Sequence, residues 1–378
     1  MINGKVIAID ARMIEMSGIG TYIQHLMGEG IYDIALGREE EIRKYDKTVK
    51  VILYDTAIYG LEEQVCFPNK EIRKAGIDLI HFPHYNVPAS YKGKFIVTVH
   101  DLTHIVYPEF LGNKLKYYYA KYLLRHAIEK SEHIFTVSNN SKKDIEKIFR
   151  LSVEKISITY NAVDADFCVK SWQEVEYLYG KYSIPKNKVV LLYVGNLKPH
   201  KNLSRLLCSL RRMSDRENYC LLLVGKAFSS ISLKDEEARL GIERLVVHTG
   251  MVSKEELIDL YNLADIFVFP SLYEGFGIPP LESMACGTPV IASDCSSVPE
   301  IVGDAALLFD PLDEDSIIMA IHRAENHEVA QDLIKKGLIR KNCFKWNETV
   351  RAVREGIRNV YEKKCSFFYS EFFEDWGK

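Results

Sequence analysis

Twelve short apolar runs, separated by amphipathic stretches, set the strongest limit on how this chain can fold. Six come first: "KVIAIDA" (5–11), "VKVILYD" (49–55), "DLIHFP" (78–83), "FIVTVHD" (95–101), "HIFTVS" (133–138) and "ISITYNA" (156–162). Six follow later: "VVLLYVGN" (189–196), "CLLLVG" (220–225), "LVVHTG" (245–250), "DIFVFPS" (265–271), "TPVIASD" (288–294) and "ALLFDP" (306–311). Strands alternating with helices predict βα units and mainly parallel sheets. The 378 residues accommodate two domains at ~150 residues each. We therefore expect two doubly wound α/β domains, over 1–168 and 184–347. The polar, aromatic-rich stretch 164–187 lacks a strand period and reads as their connection. A last helix, "ETVRAVREGIRNVYEKK" (348–364), can pack on either domain.

Composition narrows the function. A net charge of −3 offers no basic field to collect nucleic-acid phosphates. The longest apolar runs fall far short of the ~20 residues that span a bilayer. The opening "MINGKVIAID" enters a strand pattern without a signal-peptide layout, and the eight cysteines have no metal-ligand spacing. Together these predict a cytoplasmic protein with reduced thiols and no structural zinc. "SKKD" (141–144) and "SKEE" (253–256) have capping-box spacing and predict helix starts.

Ligands of parallel α/β sheets gather at the carboxyl ends of strands, so polar residues just after strands are the candidates for chemistry. "SGIGTY" (17–22) offers Gly18 and Gly20 for close backbone approach to an anion, or only a tight turn. "VHDL" puts His100 and Asp101 at a strand end, where His100 is either a ligand-facing or a structural histidine. "YVGNLKPHKNLSRLL" (193–207) carries Asn196, Lys198 and Lys201 before a helix that Asn202 can cap. Lysine at a helix N-terminus opposes the macrodipole; a bound diphosphate would justify it, and a solvated loop lysine is the alternative.

The densest signal is "SLYEGFGIPPLESMACG" (271–287). Glycines and prolines between Glu274 and Glu282 forbid one continuous helix. Pro279 or Pro280 suits the first helical position, so Glu282 is expected in the first turn, serving the helix dipole or accepting two ribose hydroxyls. Glu274 stays in the loop, where Gly275 and Gly277 let carboxylate and bare amides meet one polar ligand such as a sugar. "DAD" (164–166) and "DED" (313–315) read as surface acids rather than metal ligands.

These residues resemble the retaining family-4 glycosyltransferases of the GT-B fold, of the bacterial mannosyl- and rhamnosyl-transferase type that builds surface polysaccharide. The resemblance is carried by E-G-F-G-I-P-P-L-E with its continuation "SMACGTPVIASDCSSVPEIVGDAALLFDP". "GIGTY", "VHDL", "TVSNNSKKDI", "YNAVD" and "YVGNLKPHKNL" occur in the family's order. It implies two Rossmann-like domains facing across a cleft, with the C-terminal helix (348–378) packing back on the first. It implies a nucleotide-diphosphate sugar donor, GDP-mannose favoured, and a glycan or polyprenyl-diphosphate-linked acceptor. Neither a metal nor a cofactor is expected. Lys201 is implied on the diphosphate, Glu282 on the ribose, and Glu274 with the backbone at Phe276, Gly277 and Ile278 around sugar and phosphate. Gly18 and Gly20 are implied to close on the diphosphate, and His100 to lie near the donor sugar. One departure is Asn196, where many members have arginine; either Lys198 supplies the second charge or the clamp is weaker. A nucleotide-sugar epimerase or a silent binding module would share much of this pattern. The basic, aromatic helix expected over 114–130 can rest on an anionic membrane, which would put the enzyme at the inner face of the membrane; a solvated helix face is the alternative.

Overall fold

A computed structural model describes residues 4–150, 155–226 and 231–362. The chain divides into two compact units, one of residues 1–137, 141–160 and 346–378, the other of 138–140 and 161–345. The expected last helix runs Trp346–Glu362; the rest of the 348–378 segment lies outside the described residues.

In the first unit the strands are β1 (Ile7–Asp10), β2 (Ile34–Gly37), β3 (Lys50–Leu53), β4 (Leu79–Phe82), β5 (Phe95–Val99), β6 (His133–Thr136) and β7 (Ile156–Ile158). They form one parallel sheet in the order β3-β2-β1-β4-β5-β6-β7. The sequence reading missed β2, whose four residues "IALG" are too short to stand out beside "GREEE". The second unit holds β8 (Val189–Val194), β9 (Tyr219–Val224), β10 (Val246–Gly250), β11 (Ile266–Phe269), β12 (Val290–Ser293) and β13 (Ala306–Phe309). These pair in parallel in the order β10-β9-β8-β11-β12-β13. Both are doubly wound sheets whose order reverses, between β1 and β4 and between β8 and β11. Crevices for ligands open beyond the carboxyl ends at such reversals.

Buried parallel strands explain the apolar runs. Every residue of β1, β4, β5, β9, β11 and β12 is buried, because helices cover both faces. The stretch 164–187 belongs to the second unit and contains two short helices, Trp172–Val175 and Tyr177–Lys181. Polar ties hold it to the helix Lys254–Leu263: Lys254 meets Asp164 and Asp166, each at 2.7 Å, and the Tyr177 hydroxyl donates to Asp259 at 2.8 Å. Ser253 caps that helix through the Glu256 amide, as "SKEE" predicts. "SKKD" does not start its helix, which begins earlier at Asn139 with Ser141 buried inside it.

The helix Trp346–Glu362 places Val350, Val353 and Ile357 in the core of the first unit. Its Gly356 lies against β6 so closely that a Cβ there would sit 2.5 Å from the Phe135 ring. Gly→Ala in a helix normally stabilises by up to ~1 kcal/mol. Gly356→Ala should do the reverse and cost about 1–3 kcal/mol through overpacking. Urea unfolding with an unchanged or raised midpoint would refute this docking of the last helix.

Candidate functional site

In the second unit three loops meet beyond the strand ends, following β8, β11 and β12. The first contains Asn196, Lys198 and a single 3-10 turn, Pro199–Lys201. The second, 270–277, carries Glu274. They are joined by a backbone bond from the Leu272 amide to the His200 carbonyl, 2.7 Å. The Asn202 side chain does not cap the following helix, Leu203–Arg212. It turns instead to donate to the carbonyls of Pro270 (3.0 Å) and Pro311 (2.8 Å), and the helix start is left without a side-chain cap.

These ties bring together two residues 73 apart in sequence: Lys201 Nζ lies 2.6 Å from Glu274 Oε1. The side chains are only 17% and 12% exposed, so water screens the pair weakly. The Phe269 ring lies 5.7 Å from the ammonium. Asn196 and Lys198 are exposed on the same loop; Lys198 donates its own amide to the Asn196 carbonyl, 3.0 Å.

Glu282 sits differently from the expectation. The helix runs Ile278–Ala285 and has no acidic residue in its first turn. Gly277, at φ +96°, adopts a conformation that L-residues avoid and lets the helix begin one residue before the prolines. Pro279 and Pro280 then occupy positions whose N–H groups would be unsatisfied anyway, and Glu282 falls beyond them. The helix ends at Cys286 with Gly287 at φ +74°; Gly287 N to Met284 O and Thr288 N to Ser283 O complete a Schellman motif. The dipole account of Glu282 is thereby removed. Its partner is the Tyr261 hydroxyl, which donates to Oε2 at 2.8 Å. Burial pushes the Glu282 carboxyl up to about 7, with the Tyr261 bond opposing, Asp164 adding to the rise and Lys254 opposing it.

In the first unit Gly18 and Gly20 lie inside the helix Ser17–Leu26 rather than in a loop. Gly20 is there for packing: a Cβ would stand 2.6 Å from the Ile14 carbonyl oxygen. Gly18 is different, with nothing within 4 Å of such a Cβ, at a helix start that no side chain caps. His100 follows β5, and its Nε2 pairs with the Pro83 carbonyl at 2.9 Å. A carbonyl only accepts, so Nε2 carries the proton and Nδ1 keeps its lone pair. Burial lowers His100 to about 4, against the Pro83 bond and Asp101; it is neutral at physiological pH. Asp101 accepts from the Thr103 amide, 2.9 Å.

Sequence reasoning missed two groups. Beyond β1 and β4, Arg12 binds Asp10 (Nη2–Oδ2 2.7 Å) and Glu63 (2.7 Å), with all three side chains 3% exposed or less. The other is a set of serines at the end of β12 and in the turn after it, Ser293, Ser296 and Ser297, which hold the Glu274 loop. Only the doubled serine in "CSSVPE" hinted at them. Among the described residues no group of three or more histidines, cysteines and carboxylates is arranged to hold a metal.

Residues 178–340 match the family "Glycosyl transferases group 1", and residues 66–167 match "Glycosyltransferase Family 4". The O-antigen chain mannosyltransferase B of Escherichia coli is 32% identical over 272 residues, 71% of either chain. The chain belongs to the family-4 glycosyltransferases. The O-antigen chain mannosyltransferase RfbU of Salmonella typhimurium is 34% identical over 230 residues, 61% of this chain and 60% of that one. Among solved structures, sucrose-phosphate synthase from Thermosynechococcus elongatus superposes with a TM-score of 0.76 at 19% identity, covering 94% of this chain and 99% of that one. The glycosyltransferase thus has the GT-B fold of two Rossmann-like domains. No helix among its described residues is long and apolar enough to cross a membrane.

Glu282 gives a pH-dependent signature. Its carboxyl rises from 4.5 to about 7 on folding, so between those values the folded state holds a proton that the unfolded chain has released. Stability is lost as pH rises through that window. Glu282→Gln cannot ionise and escapes the loss. Its melting temperature relative to wild type should therefore be higher at pH 8 than at pH 4.5; a difference independent of pH would contradict the burial of this carboxyl.

Proposed function

We propose that this glycosyltransferase moves mannose from GDP-mannose to a hydroxyl of a glycan or polyprenyl-diphosphate-linked acceptor in surface-polysaccharide synthesis. It does so with retention of configuration and without a metal ion. The mannosyl assignment is supported by the two O-antigen mannosyltransferases to which the chain is similar. The catalytic reading rests on one observation, the Lys201–Glu274 pair at the β8/β11 reversal.

The departing nucleoside diphosphate gathers negative charge, which preorganised positive potential stabilises. Lys201 supplies it, with the uncapped helix start at Leu203 adding backbone dipoles. Lys198, exposed on the same loop, provides the second charge that Asn196 does not. Glu282 takes the ribose hydroxyls, and Glu274 takes those of the sugar with the backbone at Phe276, Gly277 and Ile278. In the first unit, Gly18 is proposed to meet the diphosphate. The neutral His100 is proposed to accept from a sugar hydroxyl through Nδ1; with a pKa of about 4 that nitrogen carries no proton at neutral pH, and the Nε2 proton is committed to the Pro83 carbonyl. Double displacement needs a nucleophilic carboxylate and an acid carboxylate ~5 Å apart, and with Glu282 on ribose the second partner is missing. The acceptor oxygen therefore attacks the anomeric carbon on the face the diphosphate leaves. The new C–O bond forms as the C–O bond to phosphate breaks, and the hydroxyl proton passes to the departing phosphate oxygen.

The test pairs two variants, with nucleoside diphosphate affinity read by calorimetry and transfer by labelled donor. Lys201→Ala should weaken GDP binding ten- to hundredfold, the loss of a charge-assisted contact of ~1.5–3 kcal/mol. Glu274→Ala removes a group that competes for Lys201, so GDP binding should not fall, while transfer drops a hundredfold or more, ~2.7 kcal/mol of transition-state stabilisation. Unchanged GDP affinity in the first variant, or near-normal transfer in the second, would sink these roles. Sugar released from the nucleotide only when acceptor is present separates transfer from epimerisation.

We also propose a peripheral place at the cytoplasmic membrane face. The helix Lys114–Lys130 exposes Leu115 (77%), Tyr118 (63%) and Tyr122 (58%), spaced to share one face. Lys114, Lys121 and Arg125 are exposed beside that stripe. Such a face rests on anionic headgroups. Flotation should show binding to vesicles containing phosphatidylglycerol but not to pure phosphatidylcholine, and a Lys114→Glu, Lys121→Glu variant should lose it. Equal recovery from both vesicle types rejects the proposal.

A further inference from the structure

The loop 270–277 that carries Glu274 lies between β11 and the helix Ile278–Ala285, in no regular element of its own. Its side chain is held by Lys201, at 2.6 Å. Its backbone is held by a different element, the turn after β12. Ser296 Oγ accepts from the Glu274 amide at 3.1 Å and donates to the Glu274 carbonyl at 2.7 Å. Ser297 Oγ shares its proton between the carbonyls of Glu274 and Phe276, each at 3.0 Å. Three residues earlier in the loop's course, Ser293 Oγ donates to the Ser271 carbonyl at 2.6 Å. Ser293 and Ser297 are fully buried.

Two details argue that this clasp is more than loop packing. Both polar groups of one peptide residue, Glu274, are met by one hydroxyl, which fixes the direction in which its Cα–Cβ bond leaves the loop. Ser296 meets them from φ +57°, a left-handed conformation that a non-glycine residue keeps only where its surroundings over-determine it. The side-chain hold is of another kind. Lys201 is the group that a donor diphosphate engages, and an ammonium shared with a diphosphate holds the carboxylate less firmly. The serine bonds involve only backbone of the Glu274 loop and remain when Lys201 is drawn to phosphate.

We propose that Ser296 and Ser297 are positioning residues of the transfer reaction: their hydroxyls fix the Glu274 peptide so that its carboxylate stays on the transferred sugar while Lys201 serves the diphosphate. This rests on the sugar-binding role of Glu274 proposed above. The consequence is a division by ligand part. Free nucleoside diphosphate lacks the transferred sugar and does not sense the clasp. The transition state does, because a hydrogen bond to the reacting sugar is worth most when its geometry is fixed beforehand.

The decisive variant is Ser296→Gly, because glycine adopts φ +57° without strain while the substitution removes the hydroxymethyl group that makes the clasp. Ser297→Ala and the double variant accompany it. Melting temperature, GDP affinity by calorimetry, and kcat and KM with labelled GDP-mannose are measured for each, in wild-type and Glu274→Ala backgrounds; UDP, ADP and dTDP and their sugars replace these probes if GDP does not bind. In the wild-type background Ser296→Gly should keep its melting temperature and diphosphate affinity, hold KM within about threefold and lose kcat tenfold or more. In the Glu274→Ala background the same substitution should change kcat less than twofold, since the group it positions is gone; such non-additivity marks residues acting as a unit. A Ser296→Gly enzyme with full kcat, or one that loses kcat equally in both backgrounds, overturns the proposal while leaving the role of Glu274 standing. If Glu274→Ala itself transfers near-normally, the sugar-binding reading falls and the clasp's role with it.

Discussion

Burial of parallel strands on both faces is the constraint from which the rest of this structure follows. β11 and β12 have no exposed residue, and β8 is buried through its middle, so these strands offer almost no place for a charged side chain. Polar chemistry is displaced to the strand ends. There the strand order matters, because β8 is followed across the sheet by β9 on one side and β11 on the other. Loops leaving β8 and β11 head toward opposite faces and leave a crevice between them. Lys201 and Glu274 come from those two loops. The first unit repeats the logic at β1 and β4, but there Arg12, Asp10 and Glu63 satisfy one another. The Asp10 carboxyl is raised by burial, and the Arg12 guanidinium and His84 overcome that and hold it well below the usual range. That cluster pins loops.

Two glutamates eight positions apart end in unlike surroundings, and the difference suits them to unlike partners. Glu274 faces an ammonium across 2.6 Å. Glu282 has no cation in direct contact among its described partners and lies against the Tyr261 hydroxyl, where burial carries it to about 7. A partly buried ion pair such as Lys201–Glu274 contributes little to stability once desolvation is counted. What it contributes is a poised charge: in the roles proposed above, Lys201 exchanges the carboxylate for a phosphate and Glu274 exchanges the ammonium for sugar hydroxyls. The serine clasp is the element proposed to keep the Glu274 backbone fixed during such an exchange.

Much of the fold was legible because it depends on local pattern. All twelve apolar runs fall on strands that begin within a few residues of the expected bounds, and the run 156–162 is cut short, to β7. The helix Lys114–Lys130 matches its expected span, since its period is written along one continuous segment. β2 was not legible, four residues being too few to establish any period. Asn202 misled for a related reason: asparagine before a helix is a good cap in isolation, but two carbonyls from distant loops compete for its amide. Glu282 was expected inside the first turn and falls just beyond it, because the freedom of Gly277 to start the helix at φ +96° depends on the loop around it.

The sequence by itself determined the two α/β domains, the family and the identity of Lys201, Glu274 and Glu282 as site candidates, because alternation, glycine–proline spacing and the E-x7-E segment are properties of short stretches. Tertiary structure alone decided who touches whom. The Lys201–Glu274 contact spans 73 residues, the serine bonds to Glu274 span 22 and 23, and Tyr261 reaches Glu282 from another helix 21 residues away. None of these could be read from spacing, since each depends on which strands lie side by side, and strand order is set by the crossovers and packing of a whole domain rather than by any segment of it.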